Sequence, residues 1–357
     1  MATSDNNSAL VSYETLKQFI QNVLIQADIS SEDAGKVATL MAQADLQGSD
    51  GHGVIRLPQY VKRIQAGGIN TRPNISVVHE HTAMAVVDGD NAMGHLAVSY
   101  AVELAIEKAR KAGVAWVGTR RSNHAGPASL YAGMPVKHNM IGVYFAVGNA
   151  NHLPPWGGAE MLLSTNPIAV GVPSGEEAPV VLDMATTVAA YGKVKAKAKR
   201  GEMMPEGWMI DRQGKPLLDP NRSDEGFLLP IGGHKGYGLA LMVGILAGKL
   251  NGAAMGRDVV DFNKDHTTPT NTGQAILVID LAAFGDPAQF ASGMDELIRD
   301  IRNSEKLPGT DRIWLPGEQS HGRRLAYQRE GIPISGGVMQ ELAILARDLN
   351  VAPLQGR

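Results

Sequence analysis

The feature that most constrains the fold of this 357-residue chain is the alternation, from about residue 83 onward, of short Val/Ile-rich runs with helical stretches. The runs Ala83–Val87, Val114–Val117, Ile141–Val147, Ile168–Val172, Val180–Leu182 and Ala275–Ile279 read as strands. Apolar spacing predicts helices over Ala97–Ala112, Lys235–Leu250 and Phe290–Asn303. Strands this uniformly apolar are buried on both faces, so a layered α/β core is expected. Ile168–Val172 and Val180–Leu182 are joined by a loop too short for a helical crossover. Parallel neighbours need such a crossover, so the sheet is expected to be mixed.

The ends of the chain read as helix. Leu16, Phe19, Ile20, Val23 and Leu24 form one face of a helix to Ala27 that Ser12 is placed to cap. Ser30 and Asp33 resemble a capping pair for a second helix, which runs to about Gln47 and is stopped by Gly48. Another helix is expected over Val338–Leu349.

Charge and composition exclude several functions. The 33 Lys and Arg against 36 Asp and Glu leave a net −3, which gives no global reason to bind nucleic acid. With no cysteine there is no disulfide framework, thiolate metal site or cysteine nucleophile, which suits a reducing, cytoplasmic setting. The longest apolar stretch, Gly236–Gly248, is shorter than the roughly 18–20 residues that span a bilayer, and the N-terminus lacks the pattern of a secretory leader. The 41 glycines suggest loops built closely around a ligand.

No G-x-G-x-x-G follows a predicted strand, so any dinucleotide must bind without the Rossmann fingerprint. The cluster Gly232-Gly233-His234-Lys235-Gly236-Tyr237-Gly238 is not a P-loop either, because no Ser or Thr follows Lys235. His79-Glu80-His81 could set two imidazoles on one strand face as a metal pair, although such a pair is more often a solvated edge.

Three constellations can carry chemistry. His52, Arg56 and Tyr60 are spaced by four, so a helix through them would align a proton carrier, a carboxylate fork and a phenol. The plain alternative is a surface helix with Arg56 paired to an acid. His124, in the loop Arg121-Ser122-Asn123-His124-Ala125-Gly126-Pro127 after a strand, would sit near a helix N-terminus that favours its neutral ring. Its alternative is a loop-bracing role. Asn149, Thr165-Asn166-Pro167, Asp183-Met184-Ala185-Thr186-Thr187 and the glycines around Lys235 offer amides, hydroxyls and free N–H groups of the kind that hold phosphates and ribose. Each is also ordinary turn chemistry. The Lys193–Arg200 alternation reads as a solvated face.

Taken together, the run ADLQGSDGHGVIRLPQYVKRIQAGGIN (44–70), the SNHAG loop, STNPIAVGVP, VVLDMATT, MPEGWMID, LLPIGGHKGYGLAL and LPGE closely resemble the malate/L-lactate dehydrogenase family, which also holds sulfolactate and ureidoglycolate dehydrogenases, diketogulonate reductase and piperideine-2-carboxylate reductase. The likeness covers nearly the whole chain, in the family's order. It implies an α/β fold that is non-Rossmann, a three-layer α/β/α with a mixed sheet, plus a helical N-/C-terminal domain. The implied division is 1–80 on the substrate side, 81–305 binding the cofactor, and 306–357 returning to the first part. It implies an NAD(P)-dependent oxidoreductase, usually a homodimer, using NAD or NADP.

The resemblance also implies site roles. His124 matches the acid/base histidine, His52 a second proton donor of some members, and Arg56 the residue that holds the substrate carboxylate. Asn149, Thr165, Asp183, Met184, Ala185, Thr186, Thr187, His234, Lys235, Pro316, Gly317 and Glu318 match cofactor-contacting positions. Where the family commonly has serine this chain has Gly51, so a hydrogen bond is lost, room is gained, and a substrate bulkier than malate or lactate is expected.

The expected reaction is hydride exchange between nicotinamide C4 and C2 of a 2-oxo or 2-hydroxy acid, with Arg56 clamping the carboxylate, His124 carrying the proton, and His52 and Tyr60 orienting the C2 oxygen. Reduction of cyclic or N-alkyl 2-imino acids is the alternative. More distant rivals are a metal-dependent hydrolase using His79 and His81, and a silent ligand-binding protein.

Overall fold

A computed structural model describes residues 8–356. The leader expectation falls partly on residues 1–7, which lie outside the described residues. Strand β1 (Ala9–Val11) leads into α1 (Tyr13–Gln26) and α2 (Ser31–Leu46). Both expected caps form: Ser12 and Ser30 accept the Thr15 and Asp33 N–H groups, each at 3.1 Å. Leu16, Ile20 and Leu24 are fully buried, and truncating any of them to Ala would cost about 2–5 kcal/mol. Helix α3 (Leu57–Gln65) carries Pro58 in its first turn, where the missing N–H has no partner to lose.

Next come β2 (Ser76–His81), β3 (Met84–Asp88), α4 (Gly94–Ala112), β4 (Val114–Ser122), α5 (Ala128–Gly133), β5 (Met140–Ala146), β6 (Ile168–Val172) and β7 (Val180–Met184). They are followed by α6 (Tyr191–Arg200), β8 (Met209–Asp211), β9 (Gly226–Leu228), α7 (His234–Ala247) and β10 (Thr272–Asp280). The chain closes with α8 (Pro287–Asn303), α9 (Glu318–Glu330), β11 (Ile332–Ile334) and α10 (Gly336–Asp348).

Seven strands form one sheet in the order β2-β3-β4-β10-β5-β6-β7, and it is mixed as the short β6–β7 link requires. β3 and β4 run parallel; the other pairs in this sheet are antiparallel. β4 continues past Val117 to Ser122 because β10 keeps pairing with it through Thr119 and Ser122, which delivers the His124 loop to the sheet's end. Helices cover both faces. A Cβ on Gly171 would lie 2.3 Å from the Ala132 carbonyl of α5, and one on Gly273 would lie 2.1 Å from the Ala247 carbonyl of α7 on the opposite face. Glycine is what lets each helix sit so close.

Two large apolar cores result. One joins α4 and α5 to the sheet. The other packs α1, α2 and α3 with residues of β11 and α10, and β1 pairs antiparallel with β11 (Val11 opposite Ile332). The C-terminal segment thus packs against the N-terminal helices. Among the described residues, no helix is long and apolar enough to cross a membrane.

Candidate active site

The segment between α2 and α3 is not one helix. It forms two 3-10 turns, Asp50–His52 and Val54–Arg56, broken at Gly53, so the expected single face through His52, Arg56 and Tyr60 does not exist. The break is fixed by Asp45, whose buried carboxyl accepts the Val54 N–H at 2.7 Å. A Cβ at Gly53 would fall 2.0–2.3 Å from that carboxyl. With so little solvation, burial pushes the Asp45 pKa up to about 8.

Tertiary packing nevertheless brings the residues together. His52 and His124 stack, with ring centroids 5.4 Å apart and planes at 11°, and His52 Nδ1 faces His124 Nε2 at 3.3 Å. Tyr60 Oη lies 2.5 Å from His124 Nδ1. The Gly126 N–H also points at that nitrogen, at 3.4 Å, and a backbone N–H can only donate. In neutral His124 the proton is therefore assigned to Nε2, on the side of His52. Burial holds the His124 pKa well below the ordinary histidine value, with the charges of His52, Arg56 and His95 adding to the effect. Burial is the dominant cause, rather than the helix N-terminus expected from the sequence. His52 is pushed down to about 4 by burial and by Arg56, and burial raises Tyr60 against the opposing charge of Arg56.

Arg56 donates Nε to the Gly51 carbonyl at 2.8 Å, and its Nη1 has only a long contact, 3.4 Å, to Asn263 Oδ1. The Nη edge is left to receive an anion. Gly51 is exposed, and a Cβ there would meet nothing within 4 Å.

A loop some two hundred residues away closes this cluster. Phe262 packs its ring on Tyr60 and His124, with centroids 5.8 and 5.6 Å away. Its N–H donates to the Asn149 carbonyl at 2.9 Å, and Gln59 donates to its carbonyl at 2.7 Å. Fully buried Arg63 ties the same loop to α3 by donating to the Asp265 and Thr268 carbonyls.

Several of the expected cofactor positions are joined to one another, and Asn149 to the Phe262 loop. Asn149 donates to Thr272 Oγ1 at 2.7 Å, and Gly148 N–H donates to Asn166 Oδ1 at 3.2 Å. The Thr186 N–H and hydroxyl both donate to the Thr165 carbonyl at 2.9 Å, and Ile231 N–H donates to the Thr186 carbonyl. Thr165, Thr186, Thr187 and the Gly232–Lys235 segment are thereby gathered together. The Thr186 and Thr187 hydroxyl protons are committed to backbone carbonyls, so toward a ligand these groups can act only as acceptors. Gly232 and Gly233 are left-handed, at φ 58° and 65°, and no side chain caps α7. Its first-turn N–H groups, with exposed His234 and Lys235 beside them, form a cradle suited to a diphosphate.

Other expected positions do structural work as well. Asp183 accepts the Ser129 N–H of α5 at 2.8 Å. It lies on β7 beside Met184 and Ala185. The Pro316 carbonyl accepts Val181 N–H, Gly317 is left-handed at the start of α9, and Glu318 pairs with Arg302 and Arg312, so this turn is pinned to the same edge strand. His79 and His81 stand exposed on edge strand β2, and Glu80 between them is paired to Lys108. Among the described residues, no group of three or more His, Cys, Asp or Glu is placed to hold a metal.

The sequence patterns did not single out Phe262, Asn263, Gln59 or His95. His95 is a polar residue opening the apolar face of α4, and that mismatch was its one available signal.

A mixed sheet without the glycine fingerprint, with a stacked histidine pair beside an arginine whose Nη edge is open, fits a nicotinamide-dependent oxidoreductase of the dehydrogenase class. The malate/L-lactate dehydrogenase model matches residues 11–343, and the chain belongs to that family. It is 39% identical to a malate dehydrogenase of Pyrococcus abyssi, over 98% of this chain and 98% of that protein. It is 33% identical to a Delta(1)-pyrroline-2-carboxylate/Delta(1)-piperideine-2-carboxylate reductase of Pseudomonas syringae pv. tomato, over 96% of this chain and 98% of the other. The solved malate dehydrogenase of Pyrococcus horikoshii OT3 superposes with a TM-score of 0.91 at 34% identity, covering 99% of both chains.

Proposed function

We propose that this protein exchanges a hydride between a nicotinamide cofactor and C2 of a 2-oxo or 2-hydroxy acid bulkier than malate or lactate. The observation that carries this reading is the junction of His124 Nε2 and His52 Nδ1, held at 3.3 Å beside Arg56. Bound nicotinamide would supply the hydride acceptor or donor. The chain does the rest. Arg56 offers its Nη edge to the carboxylate, which fixes C2 by a bidentate pair. A substrate oxygen received at the histidine junction takes the Nε2 proton of His124 in reduction while the Tyr60 hydroxyl proton moves onto Nδ1, and both protons move back in oxidation, so His124 is the principal carrier and the Tyr60 oxygen left negative faces the Arg56 charge. Phe262 keeps water off the back of that ring.

Asn149, Thr165, Asp183, Met184, Ala185, Thr186 and Thr187 would line the dinucleotide, with His234 and Lys235 at its diphosphate and Pro316, Gly317 and Glu318 at the neighbouring sheet edge. NAD and NADP both fit this set. The open space at Gly51 favours a second substrate class, cyclic or N-alkyl 2-imino acids, which need the same clamp and the same acid.

We take residues 1–80 with 306–357 as the substrate-side unit around a cofactor unit of 81–305, supported by the shared core of α1–α3, β11 and α10. A homodimer is supported by the exposed apolar side chains Leu239, Met242 and Ile245 along α7 and Leu250 just beyond it. The absence of cysteine supports a cytoplasmic setting.

The test is His124→Ala and Arg56→Ala with cofactor titration and a screen of 2-oxo acids, with and without methylamine. The first variant should lose turnover while keeping cofactor affinity. The second should mainly raise KM for the acid, by a charged hydrogen bond's worth of about 1.5–3 kcal/mol. Full activity in both variants would refute the assignment.

A further inference from the structure

Directly behind the proton-transfer pair lies a third imidazole. His95, the second residue of α4, is 1% exposed, and neither ring nitrogen has a hydrogen-bond partner. Its ring meets Tyr60 edge-to-face, with centroids 5.6 Å apart and planes at 85°. Its Nε2 is directed at the Gly126 turn: a Cβ built on Gly126 would lie 3.3 Å from that nitrogen and 3.9 Å from the His52 carbonyl oxygen. The start of α4 is pressed onto the same loop, since a Cβ on Gly94 would fall 2.1 Å from the Asn123 carbonyl and 2.7 Å from that of His124.

Filling this space with an aliphatic or phenyl side chain would leave no buried polar atom unsatisfied, so imidazole is the costlier occupant for stability alone. Polar atoms that a fold keeps at such a cost beside reacting groups point to function. Burial, with the His52 charge, pushes the His95 pKa down to about 3, so the ring is neutral and carries a single N–H.

We propose that His95 is a positioning residue for proton transfer. Its Nε2 abuts the Gly126 turn, whose N–H points at His124 Nδ1, while its ring braces the Tyr60 phenol on the same nitrogen. The proposal rests on the functional reading above, so its test includes a measurement that needs no turnover.

The experiment compares wild type with His95→Leu, which removes ring and nitrogens, and His95→Gln, which keeps a polar atom near the place of Nε2. Melting temperature, NADH and NADPH affinity, kcat and KM for the best 2-oxo acid, and 15N spectra of histidine-labelled protein are measured. His95→Leu should melt no lower than wild type and bind cofactor within about twofold. Its kcat should drop at least tenfold with KM little changed, and the His124 resonances should move from the Nε2–H tautomer toward a mixture. His95→Gln should recover most of both signals. Wild-type kcat and spectra in His95→Leu would overturn the proposal, and so would equal losses in the Leu and Gln variants or loss of cofactor binding together with melting temperature. If no oxo acid or imine is turned over, the functional reading fails while the spectra still decide the role of His95.

Discussion

Tyr60→Phe isolates one atom of the proposed proton path. The ring keeps its contacts with His95 and Phe262, and only the oxygen 2.5 Å from His124 Nδ1 is removed. What remains at that nitrogen is the Gly126 N–H at 3.4 Å, a distance at which little hydrogen-bond energy survives. A buried acceptor losing its partner costs about 1–3 kcal/mol. Part of this appears as stability: roughly 1 kcal/mol, or a melting temperature lower by about 1–2 °C in a chain of this size. The rest falls on the step in which Nε2 exchanges its proton, because an unheld ring samples both tautomers and rotates off line. The middle and the top of that range leave about 1 and 2 kcal/mol, so at about 1.4 kcal/mol per tenfold kcat should fall roughly 5- to 30-fold. Arg56 and the α7 cradle are untouched, so KM for the acid and cofactor affinity should stay within about twofold. Steady-state rates from nicotinamide absorbance, with cofactor fluorescence titration, read all three quantities. Unchanged kcat, or a loss confined to KM, would show that Tyr60 does not hold His124.

Three further outcomes follow from the same geometry. His52 and His124 are held neutral, with His52 down to about 4, so the unfolded chain binds more protons below the ordinary histidine value and stability should fall as pH drops from about 6.5 toward 4. Urea titrations of wild type and His52→Gln should show a shallower fall in the variant; equal slopes would rule out His52 as a source. Asp45 acts in the opposite sense: its raised value means stability lost as pH climbs from about 4 to about 8. Asp45→Asn retains an acceptor for the Val54 N–H and should be the more stable protein at pH 8, with the difference vanishing near pH 4. Gly51→Ser adds a hydroxyl where a Cβ meets nothing within 4 Å. It should fold normally and raise the ratio of kcat/KM for malate or lactate over that for bulkier acids, and an unaltered ratio would refute the specificity role of this position.

Local physics was legible along the chain. The Ser12 and Ser30 caps, the buried stripe of α1, the strand Ile168–Val172 and the mixed sheet all depend on residues within a few positions of one another, so spacing and side-chain type were enough to predict them. The motifs likewise marked His52, Arg56, Tyr60 and His124 as chemistry. Their mutual arrangement was decided elsewhere. The expected single helical face gave way to a break at Gly53, because a buried carboxyl from α2 leaves no space there for a Cβ. His52 meets His124 across 72 positions, and Arg56 meets Asn263 across 207. Phe262 seals the rings from a loop with no periodicity, and His95 is buried without partners because α4 abuts the His124 loop. Sequence specifies propensities, which act over a turn or a strand pair. The orientation and solvation that tune the proposed proton carriers come from surfaces that meet only when both cores have packed.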